Sequence, residues 1–107
     1  MITGLFMKIS WDDYKKIPDK QRNGIYEVEN LVTFYCVNGK LHREDGPAAE
    51  GINGYKGWFI NGKRHRLDGT AIEWDEIKQY WIEGKYYTKE EFESAAYLYK
   101  NGLQDYM

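Results

Sequence analysis

The chain has 107 residues, 42% of them apolar and 17% aromatic, with 15 Lys and Arg against 17 Asp and Glu and a formal net charge of -2. That length makes one domain, 1–107, with apolar residues enough for a core and, at two prolines, a composition unlike a disordered segment. Charge is spread evenly, seven basic and eight acidic groups in residues 1–50 and eight and nine in 51–107; without a basic stripe to neutralise phosphates, the composition argues against a nucleic-acid backbone binder.

Residues 1–31 read as an N-terminal cap. The start, Met1 to Lys8, has no basic region ahead of its short apolar run and does not read as a signal peptide. Nothing approaches the roughly 20 apolar residues of a membrane span. Ser10-Trp11-Asp12-Asp13 predicts a helix start, with Ser10 as cap and acidic groups in the first turn. Trp11, Tyr14 and Ile17 share one side of that short helix, and Pro18 ends it. Asn23-Gly24 is a turn signal, and Ile25 to Val28 reads as the first strand.

Residues 32–87 say one phrase twice. Val37-Asn38-Gly39-Lys40-Leu41-His42-Arg43-Glu44-Asp45-Gly46-Pro47-Ala48 returns, 23 residues later, as Ile60-Asn61-Gly62-Lys63-Arg64-His65-Arg66-Leu67-Asp68-Gly69-Thr70-Ala71. A worn third copy begins at Ile82-Glu83-Gly84-Lys85, 22 residues on. Units this short cannot bury their own apolar face and must stack. In each, an aromatic and β-branched strand meets an Asn-Gly turn (Asn38-Gly39, Asn61-Gly62) that supplies positive φ angles. A short return ends at His-Arg, a second turn follows through Asp45-Gly46 or Asp68-Gly69, and a strand of small residues closes the unit. The expected architecture is mostly β with terminal helices (α+β), an antiparallel β-meander of about three hairpin units.

Residues 88–107 change period. Thr88-Lys89-Glu90-Glu91 is a capping box; Phe92, Ala95, Ala96 and Tyr99 follow helical spacing, and Asn101-Gly102 is a stop. This helix is expected to cap the open end of the sheet.

Strand alternation places Tyr35 with Val37, Trp58 with Ile60, and Tyr80 with Ile82 on one face. Phe34, Cys36, Phe59 and Trp81 fall on the other. Both faces are apolar, so the second must be covered by a terminal helix, a second protomer or a partner. Phe34, Phe59, Trp81 and Tyr86, with Arg43 and Arg66, are therefore the candidate binding residues.

The element His42-Arg43-x-Asp45-Gly46, repeated as His65-Arg66-x-Asp68-Gly69, invites a catalytic or metal-binding reading. Corresponding residues lie two strands apart, roughly 9–10 Å, too far to share one ion. A catalytic group is needed once, whereas this element is copied with the unit. Asn38, Gly39, His42, Asp45, Gly46, Asn61, Gly62, His65, Asp68 and Gly69 are therefore expected to be structural turn elements. Cys36 is the sole cysteine, so no intrachain disulfide or cysteine zinc site is possible, a reducing cytosolic setting fits, and the residue reads as a small buried hydrophobe. No phosphate-binding loop, nucleophile elbow or His-Glu-x-x-His is present, and no catalytic residue, cofactor or metal is expected.

The run Trp58-Phe59-Ile60-Asn61-Gly62-Lys63-Arg64-His65-Arg66-Leu67-Asp68-Gly69 resembles a repeat of small bacterial and bacteriophage proteins, similar in period to MORN repeats. Tyr35 stands for the tryptophan in the first copy, and Thr70 for the proline in the second. The resemblance covers about half the chain, implies an elongated hairpin array, and brings no catalytic residues with it. It implies a phage or mobile-element setting, in which a protein of this size acts by blocking a host protein. The leading reading is thus a non-enzymatic protein-interaction module, cytoplasmic, with a protein partner or a second copy as dimer. Two alternatives stand beside it: a small-ligand or nucleotide-binding protein using Arg43 or Arg66, and a small hydrolase using His65 and Asp68.

Overall fold

The computed structural model describes residues 5–106. It begins with a strand, β1 (Phe6–Ile9), that pairs in parallel with β2 (Gly24–Val28), Phe6 against Ile25 through to Ile9 against Val28. Parallel neighbours need a crossover of about a dozen residues or more. Residues 10–23 supply it, with α1 (Trp11–Lys16) and a 3-10 turn (Asp19–Gln21). Ser10 Oγ accepts the Asp13 N–H at 3.1 Å to start α1, and Pro18 follows its C-cap, Ile17. The parallel pair corrects the expectation of an antiparallel arrangement opening at Ile25.

The remaining strands are β3 (Val32–Val37), β4 (Lys40–Leu41), β5 (Ala49–Gly51), β6 (Lys56–Gly57), β7 (Phe59–Ile60), β8 (Lys63–Arg64), β9 (Ile72–Trp74), β10 (Ile77–Ile82) and β11 (Lys85–Tyr87). Among the described residues the main sheet runs β1-β2-β3-β5-β6-β9-β10-β11, antiparallel at every joint after the first. β4 pairs with β3, and β7 with β8. The fold is mostly β-sheet with a C-terminal helix, α2 (Lys89–Lys100).

Three two-residue turns carry paired positive φ angles: Asn38 and Gly39 at 50° and 78°, Asn61 and Gly62 at 50° and 80°, Glu83 and Gly84 at 51° and 79°. These are type I′ hairpin turns, whose twist matches that of the flanking strands. Glycine is doubly required at 39, where a Cβ would lie 2.4 Å from the Asp19 carbonyl oxygen.

A β-bulge follows each of the first two hairpins. Ala48 N–H donates to Gly57 O at 2.8 Å while Ala49 registers against the same Gly57; Ala71 N–H donates to Gln79 O at 2.8 Å while Ile72 registers against Gln79. Two residues oppose one, which bends the strand and ends the ladder.

The register also lines up charge. Lys8 faces Glu27, Glu27 faces Thr33, Thr33 faces Glu50, Glu50 faces Lys56, Lys56 faces Glu73, and Glu73 faces Lys78. Opposite charges at facing positions contribute about 0.2–1 kcal/mol each, and a slip of one residue would send the whole row to the other face.

Alternation gives the sheet a front face, carrying Tyr26, Phe34, Cys36, Phe59 and Trp81, and a back face, carrying Tyr35, Trp58, Tyr80 and Ile82. Each helix covers one end of a different face. α1 packs Tyr14 onto Tyr26, Val28, Cys36 and Phe34 of the front face. α2 packs Phe92, Ala95 and Ala96 onto Ile82, Tyr87 and Tyr80 at the far end of the back face. Its start is a complete capping box: Thr88 Oγ1 accepts the Glu91 N–H, and the Glu91 carboxylate accepts the Thr88 N–H. No helix among the described residues is long and apolar enough to cross a membrane.

Candidate functional site

The repeated phrase gives each hairpin the means to hold the next. Within a hairpin, His42 N–H donates to Tyr35 O and His65 N–H to Trp58 O. That fixes each imidazole over the turn of the following hairpin. His42 Nδ1 accepts the Asn61 N–H at 3.0 Å, and His65 Nδ1 accepts the Glu83 N–H at 3.0 Å. The next turn residue is held too: Gly62 N–H donates to Leu41 O, and Gly84 N–H to Arg64 O. Each bond ties a turn amide to the hairpin before it, and an intramolecular hydrogen bond contributes about 0.5–1.5 kcal/mol net of the water it replaces. The first turn has no hairpin before it, and the segment ahead of β2 stands in. Asn23 Oδ1 accepts the Asn38 N–H at 2.8 Å, and Arg22 O accepts the Gly39 N–H.

The arginines act on the back face. Arg43 lays its guanidinium over the Tyr35 ring, 4.1 Å from the centroid. Its Nε donates to Asp45, and its Nη1 donates to Pro47 O and Glu50. Arg66 lies 3.9 Å over Trp58 and donates to Thr70 O, with Glu73 at 3.5 Å. At the third position no arginine remains, and Phe92 of α2 stacks on Tyr80 at 4.5 Å. Asp68, whose counterpart Asp45 pairs with arginine, takes Lys100 of α2 at 3.1 Å. Between the two arginine loops lies a groove of about 750 Å³, floored by Trp58 and Ile60 and walled by Glu44, Asp45 and Asp68. Of the two arginines lining it, Arg43 commits Nε and Nη1 to Asp45, Pro47 O and Glu50, and Arg66 commits Nη1 to Thr70 O.

His65 and Asp68 do not form an acid–base pair. The His65 Nδ1 lone pair is occupied by an amide, the nearby carboxylate is Glu83 at 3.7 Å, and Asp68 points to Lys100. Among the described residues no three His, Cys, Asp or Glu side chains gather where they could hold a metal ion. Cys36 is buried, 3.7 Å from the Tyr14 hydroxyl, and burial pushes the thiol upward, which keeps it neutral and unreactive.

Of the candidate binding residues, the structure gathers Phe59, Trp81 and Tyr86 on the front face, beyond the reach of α1. Phe59 faces Arg64 across the β7–β8 hairpin, and Trp81 faces Tyr86 across β10–β11. The Arg64 guanidinium stands 4.8 Å from the Trp81 ring and 6.0 Å from that of Phe59. Trp81 and Tyr86 meet edge to face at 5.7 Å, and Tyr86 is 52% exposed. The Tyr55 hydroxyl and the edge of the Phe59 ring both border Gly57, and burial pushes the Tyr55 phenol up. Trp74 and Ile77, each 45% exposed, face one another further along this side. Phe34 lies elsewhere, under α1 against Trp11 and Tyr14. Arg43 and Arg66 are on the opposite face. Arg64 was not among the sequence candidates, although its hairpin register opposite Phe59 was a signal that could have found it.

No family model matches this chain, and no curated protein or solved structure matches it.

Two outcomes follow from the joints. Arg66→Lys keeps the charge but loses the planar stack and the fixed fork, so urea unfolding should show a loss of about 1–2 kcal/mol; an unchanged midpoint would remove the stack from the account. Burial holds the His65 imidazole below its ordinary 6.5, against the opposing pull of Glu83. Its contribution is therefore complete above about pH 6.5 and is lost as pH falls toward the depressed folded value, because the unfolded chain takes up the proton first. The thermal midpoint should fall between about pH 7 and pH 5.5. His65→Asn, which offers a carbonyl acceptor as Asn23 does but cannot titrate, should flatten that fall; an identical slope would contradict the assignment.

Proposed function

We propose that this chain is a MORN-like array of three hairpin units, beginning at β3, β6 and β10, that binds a protein through Phe59, Arg64, Trp81 and Tyr86. The setting is the cytosol of a bacterium or a phage-infected host, and the binding blocks the host protein it engages. The observation that carries this reading is the aromatic cluster on the uncovered half of the front face. Phe59, Trp81 and Tyr86 belong to neither hydrophobic core, whereas their covered counterparts Cys36 and Leu41 lie in the core under α1. Leaving a large apolar side chain in water instead of burying it forgoes about 1.5–3 kcal/mol. An exposed tyrosine and two half-buried aromatics around one arginine are the composition of a binding hot spot, and an apolar patch rimmed by polar groups is what protein-binding sites present. A nucleotide-binding reading has less support, because the groove that holds Arg43 and Arg66 is also lined by Glu44, Asp45 and Asp68, which repel phosphate.

The test is capture from the cytosol of the native host on the immobilised chain. Native protein should retain one discrete host protein, and Tyr86→Ala should weaken its binding by about 2 kcal/mol, roughly thirtyfold. Glu93→Gln, on α2, should leave binding unchanged. Equal retention by the Tyr86→Ala and Phe59→Ala variants would overturn the reading. So would sedimentation showing that the pure chain already covers this face with a second copy.

A further inference from the structure

The same array logic points to a second surface, on the rim of the sheet. Each of the first two arginine loops leads into a strand that covers the outer edge of its own unit. β5 lies along β3, with Thr33 against Glu50, and β9 lies along β6, with Lys56 against Glu73. After β11 the chain turns into α2, so β10 receives no such strand. Gln79 O accepts from Ala71, so Gln79 faces β9 and Lys78, next along the strand, turns its N–H and C=O the other way. Tyr80 pairs back with Tyr87 of β11, which leaves the open stretch centred on Lys78. Ile77 and Lys78 are exposed and Gln79 is half-buried, and among the described residues no strand lies on that side of them.

Charge says what would fit there. In the back-face row Lys56 is flanked on both sides by a glutamate, Glu50 and Glu73; Lys78 has Glu73 on one side and an empty position on the other. The two strands that occupy the matching place read Ala49-Glu50-Gly51 and Ile72-Glu73-Trp74, an acidic residue between small or apolar ones. We propose that the outer edge of β10 receives an extended acidic segment of a partner protein, added antiparallel, with its carboxylate facing Lys78 and apolar residues beside Ile77 and Gln79. Strand addition gives affinity through main-chain bonds and specificity through alternate side chains. Self-pairing is disfavoured by the same residue. A dyad through Lys78 sets it against its own copy, and β1 of a second chain offers Lys8; like charges directly opposite are destabilising.

This inference takes the identity of the missing strand from the repeat reading above, but it concerns the rim and not the aromatic face. The test is an NMR titration of the isotope-labelled full chain with a synthetic peptide of residues 69–75 and with the same peptide carrying lysine in place of Glu73. The acidic peptide should shift the amides of residues 77–79 at millimolar concentration, and the lysine peptide should bind about tenfold more weakly. In the Lys78→Glu chain that preference should reverse. Tyr86→Ala protein, crippled on the aromatic face, should bind the acidic peptide normally, so failure of one surface is separable from failure of the other. No shift at residues 77–79, equal binding of both peptides, or concentration-dependent shifts there without peptide would each overturn the proposal; the last would make a second copy the occupant.

Discussion

The structure turns on a single lone pair at each joint, the Nδ1 of His42 and of His65. A type I′ turn directs the N–H of its first residue away from its own hairpin. Where hairpins stand side by side, an imidazole of the neighbour comes within reach of that donor and takes the place of a water molecule. Histidine reaches it because its own backbone N–H is fixed to the strand behind, at Tyr35 O or Trp58 O. The next N–H, of Gly62 or Gly84, is taken by a carbonyl one residue before the histidine. Two donors per turn, two acceptors from the preceding hairpin: this sets the spacing of the phrase. The ends follow the same rule. Asn23 and Arg22 supply both acceptors for the first turn, and the third hairpin carries Tyr87 where a histidine would stand, having no further turn to hold.

Once the joints are set, the distribution of covered and uncovered surface follows. Arginine lies on Tyr35 and Trp58, and Phe92 lies on Tyr80, so each aromatic ring of the back face is covered by a loop or a helix. α1 closes only the first part of the front face. The remainder, around Arg64, carries Phe59, Trp81 and the exposed Tyr86 without a helix over them. The chemistry that resembles an active site is occupied within the fold: the histidines hold turns, and Asp45 and Asp68 pair with Arg43 and Lys100.

Much of this was legible because the phrase occurs twice. Repetition argued that His42, His65 and the Asn-Gly turns serve the fold, and alternation sorted Phe59 and Trp81 onto one face. What was not legible has specific causes. β1 lacks a turn signal, and its pairing depends on a crossover of irregular residues, so Phe6–Ile9 read only as a short apolar run. Asn23 substitutes for histidine with a different side chain at a different spacing, which no sequence period reveals. Alternation also could not say which helix covers which face, because both faces are apolar. Phe34 and Phe59 looked equivalent, and they are parted only by where α1 comes to rest. Arg64 escaped notice because its counterparts are Leu41 and Tyr86, so the repeat did not mark it.

The most direct measurement is the scalar coupling across the joint hydrogen bonds, read by NMR between the amide nitrogen of Asn61 and Nδ1 of His42, and between that of Glu83 and Nδ1 of His65. The account predicts a resolved coupling in both pairs at neutral pH, with each imidazole carrying its proton on Nε2. A proton on Nδ1 of either ring, or an Asn61 amide that exchanges as freely as one in solvent, would contradict it.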